Sequence, residues 1–343
     1  MSLDRLSKFL KDRQPVDKRN HVLLIDGLNT FIRSFSVSPH MNEQGMHIGG
    51  LTGFLKSIGA ITRDMNADEV VIVFDGKDGS KHRRKIFPGY KGNRKVNKSL
   101  NRAAHMTGLE DPDKSMKRQL MRLVSYMTCL PVRIITVDGI EADDSIAYIA
   151  QELIPQDSRI TIYSSDKDFF QLINDRIKVY APHAKGIIDE DELFKKFGVY
   201  PINYIHYKAF LGDSSDNVPG ILGFGKKTVL KYFPELGGTE VLERDYFVDK
   251  ANELKAISKK GVRNAYQKFL DSLDQYDVNI KIMDLENPIV PGNSKTTLRR
   301  LMQKERNSLD SGKFILMLRE DEISKFVEMP SVWLRNTWGR LNS

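Results

Sequence analysis

Short apolar runs rich in β-branched residues punctuate the chain at His21–Ile25, Val70–Phe74, Val132–Val137 and Arg159–Tyr163. None alternates cleanly between apolar and polar positions, so each predicts a strand buried on both faces rather than one with a wet side. Between them, Leu51–Met65, Lys114–Thr128 and Ala142–Leu153 carry apolar residues at helical spacing, and Pro201–Leu211 repeats the pattern further on. Strands separated by helices predict an α/β fold with a parallel sheet covered on both faces. Leu3, Leu6 and Leu10 predict only a short amphipathic lead-in.

In such sheets the functional crevice lies outside the carboxyl ends of the strands. The residues found there are acidic. The first run ends in Asp26-Gly27, the second in Asp75-Gly76, the third leads through Asp138-Gly139 to Glu141, Asp143 and Asp144, and the fourth ends in Ser164-Ser165-Asp166-Lys167-Asp168. One Asp-Gly after a strand is usually a turn. Carboxylates from four strand ends in one crevice would repel strongly unless a cation neutralises them, which points to metal. No cysteine or histidine cluster accompanies them, so the metal should be hard and oxygen-loving, Mg²⁺ or Mn²⁺. A helix starting at Glu141 would place Glu141 and Asp144 on one face, and helix capping accounts for one of these three acids but not for all. A further acidic loop, Asp213 to Asp216, follows the Pro201–Leu211 helix.

Composition narrows the class. The 343 residues hold 53 Lys+Arg against 45 Asp+Glu, are 40% hydrophobic, and contain one cysteine. Disorder, a disulfide scaffold and a membrane span are unlike this balance. Cys129 reads as a reduced, buried thiol of a cytosol-like, cytoplasmic compartment, and the nine charges among the first twenty residues leave no room for a secretory signal. The positive excess is local. From Lys77 to Arg122 there are 14 basic and 4 acidic residues, whereas the remainder holds 39 and 41. With Phe87, Tyr90, Gly89 and Gly92 interleaved, this segment reads as a phosphate-backbone contact. Pro88 and the glycines break the stripe that a membrane-surface helix would need.

The segment Gly220-Ile-Leu-Gly223-Phe-Gly225-Lys226-Lys227-Thr228 nearly matches a nucleotide-binding P-loop, but Lys227 stands where a metal-binding hydroxyl is needed and no strand precedes it. It reads instead as a glycine hairpin opening into a basic helix, which offers backbone N–H groups to a DNA phosphate without reading sequence. A plain helical-hairpin turn is the alternative.

The ordered set LLIDGLN, VFDG, PGYKGNR, GIEADD, SSDKDF and GDSSDNVPGILGFGKKT resembles the 5′-nuclease family: bacteriophage flap endonucleases and 5′–3′ exonucleases, and the 5′-nuclease domain of bacterial DNA polymerase I. The resemblance implies an α/β, PIN-like parallel-sheet core over 21–200 that includes a basic helical arch over 77–122. A helix-three-turn-helix (helix-hairpin-helix) element with following helices would occupy 201–293, between an N-terminal extension, 1–20, and a tail, 294–343. It implies two Mg²⁺ ions, with Mn²⁺ able to substitute, held by Asp26, Asp75, Glu141, Asp143, Asp144, Asp166, Asp168, Asp213 and Asp216, and a K⁺ at the hairpin. Asp138 matches no ligand and is left as a turn residue.

Lys91 and Arg94 would approach the scissile phosphate as catalytic groups. Tyr90, Arg33 and the hairpin residues Gly220, Gly223, Gly225, Lys226, Lys227 and Thr228 would contact DNA. Arg83, Arg84 and Lys85 would be either phosphate contacts or solvated charges. Gly45 to Gly53 fits a helix start near the substrate junction. The tail, with Trp333 and Trp338, would pack back on the core or dock a replication partner, a polymerase or a single-strand-binding protein. The implied activity is that of a monomeric, Mg²⁺-dependent, structure-specific nuclease acting on 5′ flaps, overhangs, nicks and RNA/DNA primers. A PIN-type ribonuclease and a non-catalytic DNA-binding protein of the same fold are the alternatives.

Overall fold

The structure, a computed structural model, describes residues 20–92, 111–257, 259–327 and 329–342. Arg94 and the outer part of the expected arch, and the lead-in leucines, lie outside the described residues.

Five parallel strands, β1 (His21–Asp26), β2 (Glu69–Asp75), β3 (Arg133–Val137), β4 (Arg159–Tyr163) and β5 (Ile177–Ala181), form one sheet with the short antiparallel β6 (Gly186–Ile188), in the order β3-β2-β1-β4-β5-β6. The four strands expected from the continuous apolar runs are present, but β3, at the edge of the sheet, is not buried on both faces as expected: Arg133 and Ile134 are half-buried and Thr136 is exposed. The last two escaped that reading because Ile177–Ala181 alternates buried and half-buried positions and β6 has only three residues.

The pleat divides the strand residues between two cores. Val22, Leu24, Val71, Val73, Ile160 and Ile162 face one. Leu23, Ile25, Val70 and Ile72 face the other. The second core is closed by α1 (Gly27–Val37), α2 (Gly49–Asp64) and α4 (Pro112–Met127), which begins after an Asp111 cap and a first-turn proline. The first is closed by α5 (Ala142–Tyr148), which runs on as one π-helical turn, Ile149–Leu153. A short helix, α3 (Lys81–Ile86), follows β2, and α6 (Glu190–Phe197) follows β6.

Beyond the sheet, α7 (Tyr204–Leu211), the glycine hairpin, α8 (Lys226–Tyr232), α9 (Arg244–Ile257), α10 (Lys260–Leu270) and α11 (Leu273–Met283) gather around a buried aromatic nucleus of Phe210, Phe224, Phe233, Phe247, Phe269 and Tyr276. The tail packs back on both faces of the sheet. Leu298 of α12 (Gly292–Gln303) enters the first core, while Phe314 of α13 (Ser311–Glu320) and Trp338 of α14 (Pro330–Trp338) are fully buried in the second. Cys129 is a buried free thiol.

Chain order turns back between β1 and β4: β2 and β3 lie on one side of β1, and β4 on the other. The register sets Asp26 opposite Val73 and Asp75 opposite Val137, so the strands end within two residues of one another along a single edge. That edge is the topological switch point, where open α/β sheets place their functional crevice.

Candidate active site

Asp26 ends β1 and caps α1. One carboxylate oxygen accepts from the Asn29 amide at 3.1 Å and the other from the Ser164 hydroxyl at 2.9 Å. Burial, then the charges of Asp166 and Asp75, push it up to about 7. Asp143, on the first turn of α5, is held well above the usual carboxylate range by burial and by the charges of Asp166 and Asp26. Asp166 is raised by burial and closes its own turn by accepting from the Asp168 amide at 2.9 Å. Asp75 is exposed and accepts from the Ala142 amide at 2.8 Å, which ties the end of β2 to the start of α5. Asp138 accepts from the Lys77 amide at 2.9 Å, as a turn residue does.

Glu141 and Asp144 do share one face of α5, and that face meets Arg83. The guanidinium donates to Asp144 through two nitrogens, to Glu141 Oε2 at 3.0 Å and to the Ile282 carbonyl at 2.7 Å. The Arg83 side chain is 4% exposed and that of Asp144 2%. Arg83 is therefore neither a DNA contact nor a solvated charge, whereas Arg84 and Lys85 next to it are exposed. Helical spacing turns one of three consecutive basic side chains inward, and the acids of α5 select which. Asp144 becomes its internal counter-ion, also accepting from the Ile289 amide at 2.9 Å, which separates it from the open carboxylates. Burial keeps Asp144 above the ordinary range despite Arg83.

Tyr90 is likewise corrected. It is 3% exposed, and its hydroxyl bonds to Glu141 Oε2 and Asp216 Oδ2, both at 2.9 Å, so it cannot stack on a base. Lys91 points into the acids, with Nζ 2.5 Å from Glu141 Oε1 and 3.9 Å from Asp216 Oδ2. Burial alone would raise the Glu141 carboxyl, but Lys91 and Arg83 outweigh it and hold the carboxyl below its usual range.

A residue that the sequence reading passed over completes the cluster. Lys208, on the buried face of α7, is 7% exposed, lies 2.7 Å from Asp168 Oδ1 as an ion pair and donates to Asp213 Oδ2 at 2.6 Å. Burial would lower its pKa, but the two carboxylates raise it. Burial pushes Asp168 up to about 7 against Lys208, whereas at Asp213 the ammonium and the Ser215 hydroxyl overcome burial and bring the carboxyl to about 2. The available signal was a lone lysine inside the otherwise apolar pattern of a helix, five residues before an aspartate. Two glycines shape this loop. A Cβ on Gly212, where φ is +67°, would lie 2.4 Å from the Gly220 nitrogen, and one on Gly220 would lie 2.3 Å from the Leu211 carbonyl oxygen. Only glycines let the two backbones cross there.

These are all oxygen donors, suited to hard divalent cations. The carboxylates lifted by burial and mutual repulsion carry negative charge that Lys91, Lys208 and Arg83 leave partly uncompensated. The donor chemistry thus fits a cation. Among the described residues, however, no group of three or more His, Cys, Asp or Glu side chains is arranged as it stands to hold a metal ion.

The hairpin presents a different surface. Ile221 and Phe224 point inward, while Leu222, Gly223, Gly225, Lys226 and Lys227 are exposed. Gly223 has φ +91°, and the would-be Cβ of Gly225 meets nothing within 4 Å, so a polymer backbone can approach closely. Gly220 is exposed as well, and also forms the backbone crossing with Leu211. Exposed Lys268 of α10 reaches to 4.0 Å from the Cβ position of Gly223, and adds a charge that no motif marked. Thr228 is half-buried. Arg33 is half-buried and donates to the Tyr163 hydroxyl at 2.8 Å.

Residues 21–198 match the family model described as the 5′-3′ exonuclease, N-terminal resolvase-like domain. The 5′-3′ exonuclease of Aquifex aeolicus is 29% identical over 270 residues, covering 76% of this chain and 87% of that protein. The corresponding Buchnera aphidicola enzyme (subspecies Schizaphis graminum) is 30% identical over 218 residues, covering 63% of this chain and 70% of its own. Among solved structures, the bacteriophage T5 flap endonuclease in a complex with DNA and metal ions superposes with a TM-score of 0.62 at 18% identity over 88% of this chain and all of that one. That likeness shows the PIN-like flap endonuclease fold. Taken with the strand-end carboxylates and the basic elements near them, these matches establish that the chain belongs to the 5′-3′ exonuclease family.

Proposed function

We propose that this chain hydrolyses phosphodiester bonds at the junction of single strand and duplex in 5′-flapped, 5′-overhanging or nicked DNA and in RNA/DNA primers, with Mg²⁺ as the cation. One observation carries the reading: Asp26 is buried and Asp143, Asp166 and Asp168 are half-buried at the switch point, their pKa values raised by desolvation and by neighbouring carboxylates, in a chain whose exposed lysines suit a polyanion. Without cations such a cluster would repel DNA; with them it becomes a reaction centre. Two divalent ions held by Asp75 and Asp143, with Asp26, Asp166, Asp168, Asp213 and Asp216, would supply an activated water and neutralise the leaving oxygen.

The protein groups do the rest. Lys91 would turn from Glu141 toward the scissile phosphate and stabilise charge as it develops. The hairpin and Lys268 would hold the duplex by its phosphates without reading sequence, so selectivity would come from shape. Arg83 would keep α5 and its acids in place. The test is cleavage of a labelled 5′-flap duplex, a plain duplex and single-stranded RNA by the purified chain, with Mg²⁺ or with EDTA. Mg²⁺-dependent release at the flap junction is expected, with a loss of at least ~10³-fold on Asp166→Asn and flap affinity kept or improved. Preferential RNA cleavage, or near-normal cleavage by Asp166→Asn, would refute the reading.

A further inference from the structure

The base of the basic segment and the acidic loop are joined by more than their charged groups. The Lys91 amide donates to the Asp216 carbonyl at 2.8 Å, and Asn217 Nδ2 donates to the Gly89 carbonyl at 2.8 Å. Lys91 and Asn217, which face each other across this junction, both lie in the left-handed backbone region, at φ +55° and +60°. Asparagine tolerates that region and lysine does so poorly, so the surroundings must over-determine the Lys91 conformation. The Asn217 amide is tucked beneath the turn, 3.4 Å from the Cβ position of Gly89 and 3.6 Å from that of Gly92.

The loop that carries Asn217 also borders the DNA-facing hairpin. It is closed by the antiparallel bridge between Asp213 and Val218, and the hairpin begins two residues later at Gly220. A load on the hairpin therefore bears on the loop that fixes the Lys91 backbone. We propose that Asn217 is a positioning residue: it latches the base of the basic segment to the acidic loop, so that duplex seated on the hairpin sets the Lys91 ammonium for the scissile phosphate. This rests on the role given to Lys91 above and adds what holds Lys91 and how it senses duplex.

A residue that only shaped the turn would be replaced by glycine without loss, because glycine adopts the same φ freely. The latch needs the amide donor, so Asn217→Gly and Asn217→Asp should both break it. The experiment measures single-turnover flap cleavage at saturating enzyme for the full chain and both variants, each with and without Lys91→Ala. It also follows amide hydrogen exchange over 87–92 in Mg²⁺-free buffer, with and without a blunt duplex.

Each Asn217 variant should slow cleavage by ~10-fold or more, leave duplex Kd within about 2-fold, and cause no further loss once Lys91 is alanine. Exchange at the Lys91 amide should accelerate in both variants, and duplex should slow it only in the wild type. Wild-type rate and exchange in Asn217→Gly would overturn the latch, as would an equal loss of rate in the Lys91→Ala background. A Lys91→Ala enzyme that cleaves normally would instead overturn the role of Lys91, and the exchange data would still show whether the latch exists.

Discussion

Arg83 offers the sharpest test of the structure, because a DNA-contacting arginine and a buried counter-ion predict opposite outcomes. In Arg83→Met the Asp144 carboxylate, 2% exposed, would lose both guanidinium bonds and keep only the Ile289 amide. Removing one partner of a buried ion pair costs about 3–5 kcal/mol, because the other charge stays buried and uncompensated. For a chain of this size, that is a fall in melting temperature of roughly 4–7 °C. The assay is urea unfolding in EDTA followed by fluorescence of Trp333 and Trp338, which sit in the opposite core and so report global unfolding. The midpoint should fall with an unchanged m-value. Adding Asp144→Leu should restore about 2 kcal/mol or more of the loss, since the stranded charge is gone. The deficit should also shrink as pH is lowered, because a protonated Asp144 needs no counter-ion. A stability change below ~1 kcal/mol, with a weaker salt dependence of DNA binding, would mean that Arg83 is a solvated phosphate contact, and the argument would fail.

The raised Asp26 pKa sets a pH dependence: the folded carboxyl, at about 7, keeps a proton that the unfolded chain releases near 3.8, so stability of the metal-free protein is full below ~4 and is lost as pH rises to ~7. The loss is on the order of 4 kcal/mol, Asp26→Asn should remove it from urea midpoints measured between pH 5 and 7.5, and a flat wild-type profile would contradict it. Lys208→Met should lower the melting temperature in EDTA, and 10 mM Mg²⁺ should recover more of it than in the wild type, since the cation replaces an ammonium; equal Mg²⁺ responses would dissociate Lys208 from the cation site. Lys226→Ala/Lys227→Ala should weaken binding to every duplex alike and flatten log K against log salt by about one to two units, leaving single-strand binding nearly unchanged, whereas an unaltered slope would remove the hairpin from the DNA surface. Trp338→Ala should cost about 3–5 kcal/mol in urea unfolding, as a core tryptophan does, and a neutral effect would detach the tail from the second core.

The sequence by itself determined the layout: four apolar runs separated by helical patterns read as parallel strands, of which only the Val132–Val137 run, β3 at the sheet edge, has an exposed position, and an acid after each placed the chemistry at one edge of the sheet. It also marked the hairpin as a candidate phosphate contact, because closely spaced glycines followed by Lys226 and Lys227 can be read without knowledge of any neighbour. What only the tertiary structure decided is which charges face inward. Arg83, Arg84 and Lys85 are equivalent in sequence, and the choice among them was made by Glu141 and Asp144, some sixty residues away along the chain. Tyr90 reads as a DNA contact until Glu141 and Asp216 are brought to its hydroxyl. Lys208 reads as an odd lysine in an apolar helix until Asp168 and Asp213 converge on it from two different loops. Periodicity is a property of neighbours along the chain, whereas charge compensation in a buried cluster is a property of groups that meet only after folding. The sequence therefore shows that a cluster of acids must be neutralised, and the folded chain alone selects the residues that do it.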